Sequence, residues 1–294
     1  MTDQMKRYIH EDGQFKVVII DATEMGREYF KKVEVSPIGL QLITQAMCGA
    51  MLVTAEMKSR GTQMFRFSGD GPLDSLTVEA NTDGQVRGAL GHPMIEFQRQ
   101  TGTGLFQQAM GAGNLSVRRK TEASGKIFSS VVPLVDGEIA FNFAHYLLKS
   151  VQVPSAIQLG AGLDADLGVK GAGGVLIQAM PGADENLLFI LENRLTEMKP
   201  LSEIFSEPNP HDFIINWLCD DIVVKELKTT TVGYHCGCDR QRMLQMMATL
   251  PIDDLKDLVS KRESLDVKCS FCNKNFAIAP EDLDVLIEMK ENPA

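Results

Sequence analysis

Four of the six cysteines stand in two short pairs near the C-terminal end of the chain. The first pair is Cys236-Gly-Cys238, the second is Cys269-Ser-Phe-Cys272, and thirty residues separate them. That spacer is long enough for two helices that fold back and bring the pairs together. Four thiolate sulfurs at about 2.3 Å satisfy tetrahedral zinc, and a closely spaced pair presents two ligands from one tight turn. The spacing therefore predicts one zinc ion per chain, held by Cys236, Cys238, Cys269 and Cys272.

Residues around the two pairs refine this prediction. Gly237 separates the first two cysteines and can adopt the backbone angles that a two-ligand turn requires. His235 adjoins the pair but is not needed as a ligand, because four thiolates already complete a tetrahedron. Cys48 and Cys219 fall outside the quartet and are interpreted as small buried apolar side chains. A purely structural zinc site, or thiol pairs without metal, are alternatives that the spacing leaves open.

The charge balance limits the classes of partner. The 294 residues include 29 Lys and Arg against 39 Asp and Glu, which gives a formal net charge of −10. Such a surface repels a phosphate backbone, so nucleic acid is not an expected partner. The N-terminus lacks the apolar core of a secretory signal, and closely spaced cysteines bind metal or perform redox chemistry in a reducing compartment. We therefore expect a cytoplasmic protein.

One apolar stretch, residues 37–57, approaches the length of a membrane span. It also contains five polar side chains, Gln41, Thr44, Gln45, Thr54 and Glu56. These make the stretch too polar to face lipid. Ser36 and Pro37 are typical of a helix N-cap and its first residue, and Gly61 predicts the end of the helix. The stretch therefore predicts a buried core helix and no membrane partner.

Residues 1–182 are predicted to form a large domain of the α+β class, with antiparallel sheets and helices. Apolar residues alternate and turn-forming residues separate them, which predicts strands over 15–20, a meander over 63–87, and further strands over 115–118, 127–132, 156–159 and 175–180. Thr23 is expected to cap a short helix, and a longer helix is predicted over 138–150. Glycines crowd residues 160–174, but no Gly-Lys-Ser/Thr follows, so strands are favoured over a phosphate-binding loop.

Residues 183–232 are predicted to form a helical connector. Leu187, Leu191 and Leu195 recur on one helical face, and Phe189 and Ile190 make that face unusually wide. Prolines then break the region into short helices, and an apolar run at 213–219 precedes an extended segment over 223–232. A wide apolar face needs a cover in the folded protein. Two interpretations are compatible with the sequence. The connector helices either pack permanently on the first domain, or their apolar face becomes exposed when the protein changes state.

Residues 233–294 are predicted to form a small zinc-binding domain. Asp239 is expected to cap a helix that ends before Pro251, and a second helix is predicted over 252–259. Alternation on both sides of Cys269 and Cys272 predicts that these two lie at the turn of a hairpin, and a last helix is expected to begin at Pro280. About sixty residues are near the size at which an apolar core alone is marginal, so zinc would hold this domain folded.

These residues, in this order, resemble the heat shock protein 33 family of redox-regulated holdase chaperones over the whole chain. Besides the cysteine pairs, family-like stretches lie at residues 36–37, 69–72, 83–88, 144–150, 172–174, 178, 181–182 and 269–275. The resemblance implies a chaperone rather than an enzyme, inactive while reduced and zinc-bound. Under oxidative stress it would form disulfides between Cys236 and Cys238 and between Cys269 and Cys272, release zinc, form a homodimer and bind unfolding client proteins.

Two other functions are compatible with the cysteines. A thiol-disulfide oxidoreductase would use Cys269 and Cys272, but the reactive pair of such enzymes belongs to a βαβ unit rather than a hairpin turn. A zinc-ribbon interaction module would bind a protein partner, since the acidic charge disfavours nucleic acid. Zinc content and the suppression of client aggregation, measured before and after oxidation, separate the three functions.

Overall fold

A computed structural model describes residues 2–98, 100–260, 262 and 264–291. The chain divides into two units, the first ending at His235 and the second beginning at Cys236. The first unit holds both larger sheets, and the second holds a small hairpin. The domain boundaries predicted after residues 182 and 232 were based on changes in composition along the chain, and they stay predictions.

The first unit mixes strands and helices in the order expected of the α+β class. Its strands are β1 (Gln4–His10), β2 (Phe15–Asp21), β3 (Gly61–Gly69), β4 (Ser75–Asn81), β5 (Gln85–Leu90), β6 (Gly113–Thr121), β7 (Ile127–Pro133), β8 (Ser155–Leu163), β9 (Val169–Ala179), β10 (Val224–Thr231) and β11 (Gly233–Tyr234). Its helices are α1 (Thr23–Lys32), α2 (Pro37–Ala55), α3 (Leu105–Met110), α4 (Ile139–Tyr146), α5 (Glu185–Glu197), α6 (Leu201–Ile204) and α7 (Pro210–Leu218), and a π-helical turn at Leu147–Val151 follows α4. The strands predicted between residues 15 and 180 are confirmed as β2 to β9.

Two sheets organise the described part of this unit. The order of the first is β10-β1-β2-β9-β8, and that of the second is β11-β5-β4-β3-β6-β7. Most of the crowded glycines lie on β8 and β9, where α6 approaches the sheet closely. A Cβ atom at Gly160 would lie only 2.8 Å from the backbone nitrogen of Ser202. The glycines therefore serve helix-on-sheet packing, and the prediction of strands in this region is confirmed.

Helix α2 lies between the two sheets and forms the centre of the core. Ser36 begins it, because the Ser36 hydroxyl oxygen accepts a hydrogen bond from the Gly39 N–H at 3.1 Å. Its length and composition would suit a membrane span, but 83% of the apolar window is buried inside the fold. The predicted buried helix is thus confirmed. The predicted end at Gly61 is wrong, since α2 stops at Ala55 and Gly61 begins β3.

Strand β2 carries apolar side chains on both faces, so its sheet must be covered on both sides. Val18 and Ile20 face α2 in the main core. Val17 and Ile19 face the other way and pack with residues of α5, α6 and α7, which are called the connector helices below. The helices of the predicted connector therefore cover the outer face of the first sheet, and the extended segment expected after them is present as β10.

Strand β1 was not predicted from the sequence, and the start of α1 was predicted incorrectly. A register shift between Arg7 and Tyr8 breaks the alternation of buried side chains along β1, so the period-two pattern is absent from the sequence. Thr23 is the first residue of α1 rather than its cap. The cap comes from Asp3, the residue just before β1, because its carboxylate accepts hydrogen bonds from the N–H groups of Glu24 at 3.0 Å and Met25 at 2.6 Å.

The Asp3 carboxyl is expected to make stability fall as the pH rises. Burial raises the pKa of Asp3 from 3.8 to about 7, despite the opposing effect of the Met25 and Glu24 N–H bonds. The folded state therefore binds the proton more tightly than the unfolded state, so this group destabilises the fold progressively between about pH 4 and pH 7. Relative to Asp3→Asn, the free energy of unfolding of the unaltered protein should fall by about 1 to 4 kcal/mol across that window.

Urea unfolding of both proteins at several pH values measures this difference. Asn keeps one carbonyl oxygen as an acceptor for α1 but does not titrate, which makes it the matched control. A difference that grows in favour of the unaltered protein with rising pH would contradict the prediction. It would mean that the N-terminus of α1 favours the ionised carboxylate more than burial disfavours it.

The second unit has a small core of its own. It contains α8 (Arg240–Met247), α9 (Ile252–Ser260), β12 (Leu265–Lys268), β13 (Asn275–Ile278) and α10 (Pro280–Glu291). Asp239 caps α8 as predicted, since its carboxylate accepts a hydrogen bond from the Arg242 N–H at 2.8 Å. β12 and β13 form the predicted antiparallel hairpin. The buried cluster of this unit includes Leu255, Ile278 and Cys269, so one of the four clustered cysteines belongs to the core itself.

Candidate metal centre

The four cysteines of the two pairs meet at one point. Their Sγ atoms all lie within 4.8 Å of one another. The separation is 3.7 Å between Cys236 and Cys269 and 3.3 Å between Cys238 and Cys272. Four ligands at the zinc–sulfur distance of about 2.3 Å would stand about 3.8 Å apart at the corners of a tetrahedron. The cluster therefore fits a tetrahedral metal ion and can hold one.

The Sγ separations are too long for disulfide bonds. All six cysteines are free thiols, and a disulfide would need sulfurs about 2.05 Å apart. The two short Sγ separations join a cysteine of one pair to a cysteine of the other. This cross-pair arrangement is expected of a shared ligand sphere, because each pair supplies two corners of one tetrahedron.

Two different turns present the pairs. Cys269 and Cys272 lie in the turn between β12 and β13, where the Cys269 N–H donates to the Lys274 carbonyl at 3.0 Å. Asn273 closes that turn with a left-handed φ of 57°. Cys236 and Cys238 precede α8, and the Arg242 guanidinium donates to the Gly237 carbonyl between them. Sequence reasoning missed this contact of Arg242; its position in the first turn after the Asp239 cap was the available signal.

Burial and hydrogen bonds shift the pKa values of three of the four thiols, and not all in the same direction. Burial raises the pKa of the Cys236 and Cys238 thiols. Burial acts on Cys269 in the same sense, but N–H bonds from Phe271 and Cys272 and contacts with the other thiols outweigh it and lower the pKa of Cys269. The cluster thus favours one thiolate by its own hydrogen bonds. A bound divalent cation would supply the charge that keeps the remaining sulfurs deprotonated.

The other candidate residues lie elsewhere. In the part of the chain that the structure describes, the cysteine group contains no histidine. His235 is exposed, and its backbone N–H donates to the Val86 carbonyl at 2.8 Å. Cys48 is buried in the main core, and Cys219 is buried among the connector helices, where burial raises its pKa to about 12. The burial of Cys48 and Cys219 agrees with their interpretation as small apolar side chains.

Comparisons with known proteins agree on one family. A family model described as Hsp33 protein matches residues 3–279. The 33 kDa chaperonin of Desulforamulus reducens is 31% identical over 292 residues, covering 99% of each chain. The 33 kDa chaperonin of Synechococcus elongatus is 33% identical over 299 residues, covering 100% of each chain.

A solved structure extends the likeness to the fold. The crystal structure of the 33 kDa chaperonin from Thermotoga maritima, a heat shock protein 33 homologue, matches with a TM-score of 0.85 at 27% identity. It covers 98% of this chain and 99% of that chain. Sequence and structure agree along nearly the whole length, and the chain belongs to the Hsp33 family of chaperones.

Proposed function

We propose that this protein is a cytoplasmic, redox-regulated holdase chaperone that is inactive while its four clustered cysteines are reduced and hold Zn²⁺. Oxidation of the cysteines would release the metal and allow the protein to form a homodimer and bind unfolding client proteins. The observation that supports this best is the group of four free thiols whose sulfurs lie within 4.8 Å of one another. Neither nucleic acid nor a membrane is a proposed partner of this chain, whose net charge is −10.

Cys236, Cys238, Cys269 and Cys272 would hold the metal. Bound zinc would supply apparent folding free energy on the order of 10–16 kcal/mol, which is large for a unit of about sixty residues. The core of the second unit is small, and Cys269, only 3% exposed, is one of its members. Metal ligation and folding of this unit are therefore expected to be coupled.

Oxidation would convert the ligands into disulfides. Following the family, we propose bonds between Cys236 and Cys238 and between Cys269 and Cys272. For each bond, two metal-bound thiolates lose two electrons to one molecule of peroxide, which takes up two protons from solvent and becomes two molecules of water. Disulfide sulfurs carry no charge and are poor ligands. Short loops constrain the unfolded chain weakly, so these bonds would not replace the folding free energy that the metal supplied.

We propose that the connector helices detach from the sheet when the second unit unfolds. They cover an apolar sheet face that includes Val17, Ile19 and Ile177. Along the chain only β10 and β11 separate these helices from Cys236. Unfolding of the second unit would remove an anchor from that end of the segment. Detached connector helices would uncover two apolar surfaces, their own and that of the sheet, which suit the exposed apolar segments of an unfolding client.

One experiment tests the proposal. Zinc content and light scattering of a heat-unfolding client are measured with the protein reduced, and again after peroxide at elevated temperature. We expect zinc loss and suppression of aggregation only after oxidation. If zinc stays bound, or if both forms suppress aggregation equally, the redox-regulated function is excluded. Turnover of small dithiols with zinc retained would instead favour an oxidoreductase.

A further inference from the structure

A cleft opens at the C-terminal end of α2, where the two sheets of the first unit approach each other. Its volume is about 640 Å³, within the range of roughly 300–1,000 Å³ that is typical of small-molecule sites. The wall combines the end of α2 and the loop after it with residues of β2, β3, β6, β9 and the π-helical turn. All of these elements precede the cysteine cluster and belong to the first unit. The cleft is therefore a feature separate from the metal centre.

The charge of this wall is opposite to that of the whole chain. Among its described residues are three cations, Lys16, Lys58 and Arg119, against the carboxylate of Glu56. The chain as a whole has a formal net charge of −10. Glu56 is already paired, because its carboxylate accepts a hydrogen bond from the Lys16 ammonium at 3.2 Å and lies 3.8 Å from Nε of Arg7. The remaining cations leave the cleft positive, which favours an anionic ligand.

Arg119 is the residue best suited to bind the anion. Its Nε atom is buried and has no hydrogen-bond partner among the residues that the structure describes. Because buried donors are ordinarily satisfied, a guanidinium N–H without a protein acceptor is available to a ligand. The Phe128 ring centroid lies 5.2 Å from Cζ of Arg119, so the ring covers one side of the guanidinium and helps to orient it. An oriented guanidinium matches the paired oxygens of a carboxylate or phosphate.

Buried amides and apolar side chains form the rest of the wall. Gln63 and Gln178 are only 3% and 7% exposed, and the Thr54 hydroxyl donates to the side-chain oxygen of Gln63 at 3.2 Å and fixes that amide. A wall that combines cations with apolar side chains suits a molecule that has both an anionic group and an apolar body. The apolar residues of the wall include Val53, Met57, Leu147, Val151, Val153 and Met180.

We propose that this cleft binds a small amphipathic anion, in which a carboxylate or a phosphate monoester is joined to an apolar chain. The Arg119 guanidinium would bond to the anionic group, and Lys16 and Lys58 would add to the attraction. The apolar chain would lie against the valines and methionines of the wall. This ligand site neither uses the four clustered cysteines nor depends on the proposed redox function.

Calorimetric titration of the reduced full chain tests the ligand class with four probes: octanoate, octyl phosphate, octanol and inorganic phosphate. We expect octanoate and octyl phosphate to bind at one site per chain, and the tighter of the two identifies the preferred head group. Octanol lacks the charge and inorganic phosphate lacks the chain, so each should bind at least about tenfold more weakly. Octanol binding as tight as that of the two anions would overturn the anion site. Equally tight inorganic phosphate would overturn the role of the apolar wall.

Neighbouring residues of β6 provide matched variants. Side chains alternate along a strand, so Arg118 and Arg119 point to opposite faces of the sheet, and Arg118 is exposed. Arg119→Gln should weaken octanoate binding at least about tenfold, whereas Arg118→Gln should leave it nearly unchanged although it removes the same charge. Glu56→Gln removes the competing carboxylate and should tighten binding. Equal weakening by the two arginine variants would mean that general charge attracts the ligand, and it would overturn the site.

Amide chemical shifts locate the bound octanoate and show whether the variants are folded. In the unaltered protein, octanoate should shift the amide resonances of Ser59, Thr121, Val153 and Gln178, all of which line the cleft. Shifts confined to the connector helices would overturn the proposal. If the spectrum of Arg119→Gln shows that this variant is unfolded, Arg119→Lys replaces it. Arg119→Lys keeps the charge but not the planar fork, so it should bind octanoate more weakly than the unaltered protein, and unchanged affinity would remove Arg119 from the site.

Thermal unfolding gives an independent measurement. Lys16 and Gln178 belong to the first sheet, and Gln63 and Arg119 belong to the second, so a bound ligand would join the two sheets. A ligand that binds only the folded protein raises its stability. Octanoate should therefore raise the melting temperature of the unaltered protein and of Arg118→Gln, and raise that of Arg119→Gln less. An equal rise in all three proteins would mean that octanoate binds elsewhere, and the proposed site would fail.

Discussion

Replacing Cys269 by serine is expected to lower the zinc affinity of the second unit by more than about 100-fold. Cys269 is 3% exposed, and its sulfur lies 3.7 Å from that of Cys236. A serine hydroxyl remains protonated near neutral pH and cannot supply the fourth anionic ligand. Because metal binding and folding of a small unit are coupled, residues 236–291 should also lose structure at temperatures that the unaltered protein tolerates.

Competition with a chromogenic chelator measures the affinity, and amide exchange of residues 236–291 measures the folding. Ser270→Ala is the matched control, because Ser270 is an exposed residue of the same turn. It should leave both quantities unchanged. Unaltered zinc affinity in Cys269→Ser would remove this residue from the ligand set. Reduced affinity with unaltered amide exchange would mean that the metal does not hold the unit folded.

The local parts of the second unit were predictable because each rests on short-range chemistry. Asp239 caps α8 through a contact three residues away. The hairpin follows from alternation on both sides of Cys269 and Cys272, and the proximity of the two pairs follows from their spacing. Arg242 was missed because its contact with the Gly237 carbonyl depends on how the chain turns into α8. A side chain of that length can reach many groups, and sequence does not select one.

Long-range features of the first unit were less predictable. The bulge at Arg7 and Tyr8 removes the alternation that would have marked β1, and the Asp3 cap of α1 comes from a residue about twenty positions earlier in the chain. The apolar face of the connector was visible in the sequence, but what covers it was not. That face packs on Val17 and Ile19, which are adjacent to it only after β2 has entered the sheet. Periodicity shows that a helix face is apolar, but it does not show which surface that face packs against.

Contacts within the connector join two of its helices to each other. The Arg194 guanidinium on α5 donates to the Leu218 carbonyl of α7 at 2.9 Å and pairs with Asp221 at 2.7 Å. The Trp217 indole N–H donates back to the Arg194 carbonyl at 2.8 Å. These bonds join α5 to α7 independently of the sheet. The attachment to the sheet itself is mainly apolar, so truncating one buried side chain should weaken docking of the connector helices together.

Ile214→Ala is accordingly expected to give holdase activity without oxidation. Ile214 on α7 is fully buried against the outer face of the first sheet. Truncating a buried Ile to Ala costs about 2–5 kcal/mol. If docking of the connector helices bears that cost, the undocked population rises by at least about 30-fold. The reduced, zinc-bound variant should then suppress aggregation of a heat-unfolding client, and protease should cleave within residues 183–232 faster than in the unaltered protein.

Phe213→Ala separates this effect from a change in α7 itself. Phe213 is the neighbouring residue of the same helix but is 42% exposed, and it stacks on Trp217 rather than entering the buried cluster. Its truncation should leave the reduced protein inactive. Faster proteolysis of Ile214→Ala without client binding would mean that the uncovered sheet face does not receive clients. Unchanged proteolysis would mean that packing at Ile214 does not determine docking, and the connector would then have to be held by its strand β10, whose pairing with β1 continues the same sheet.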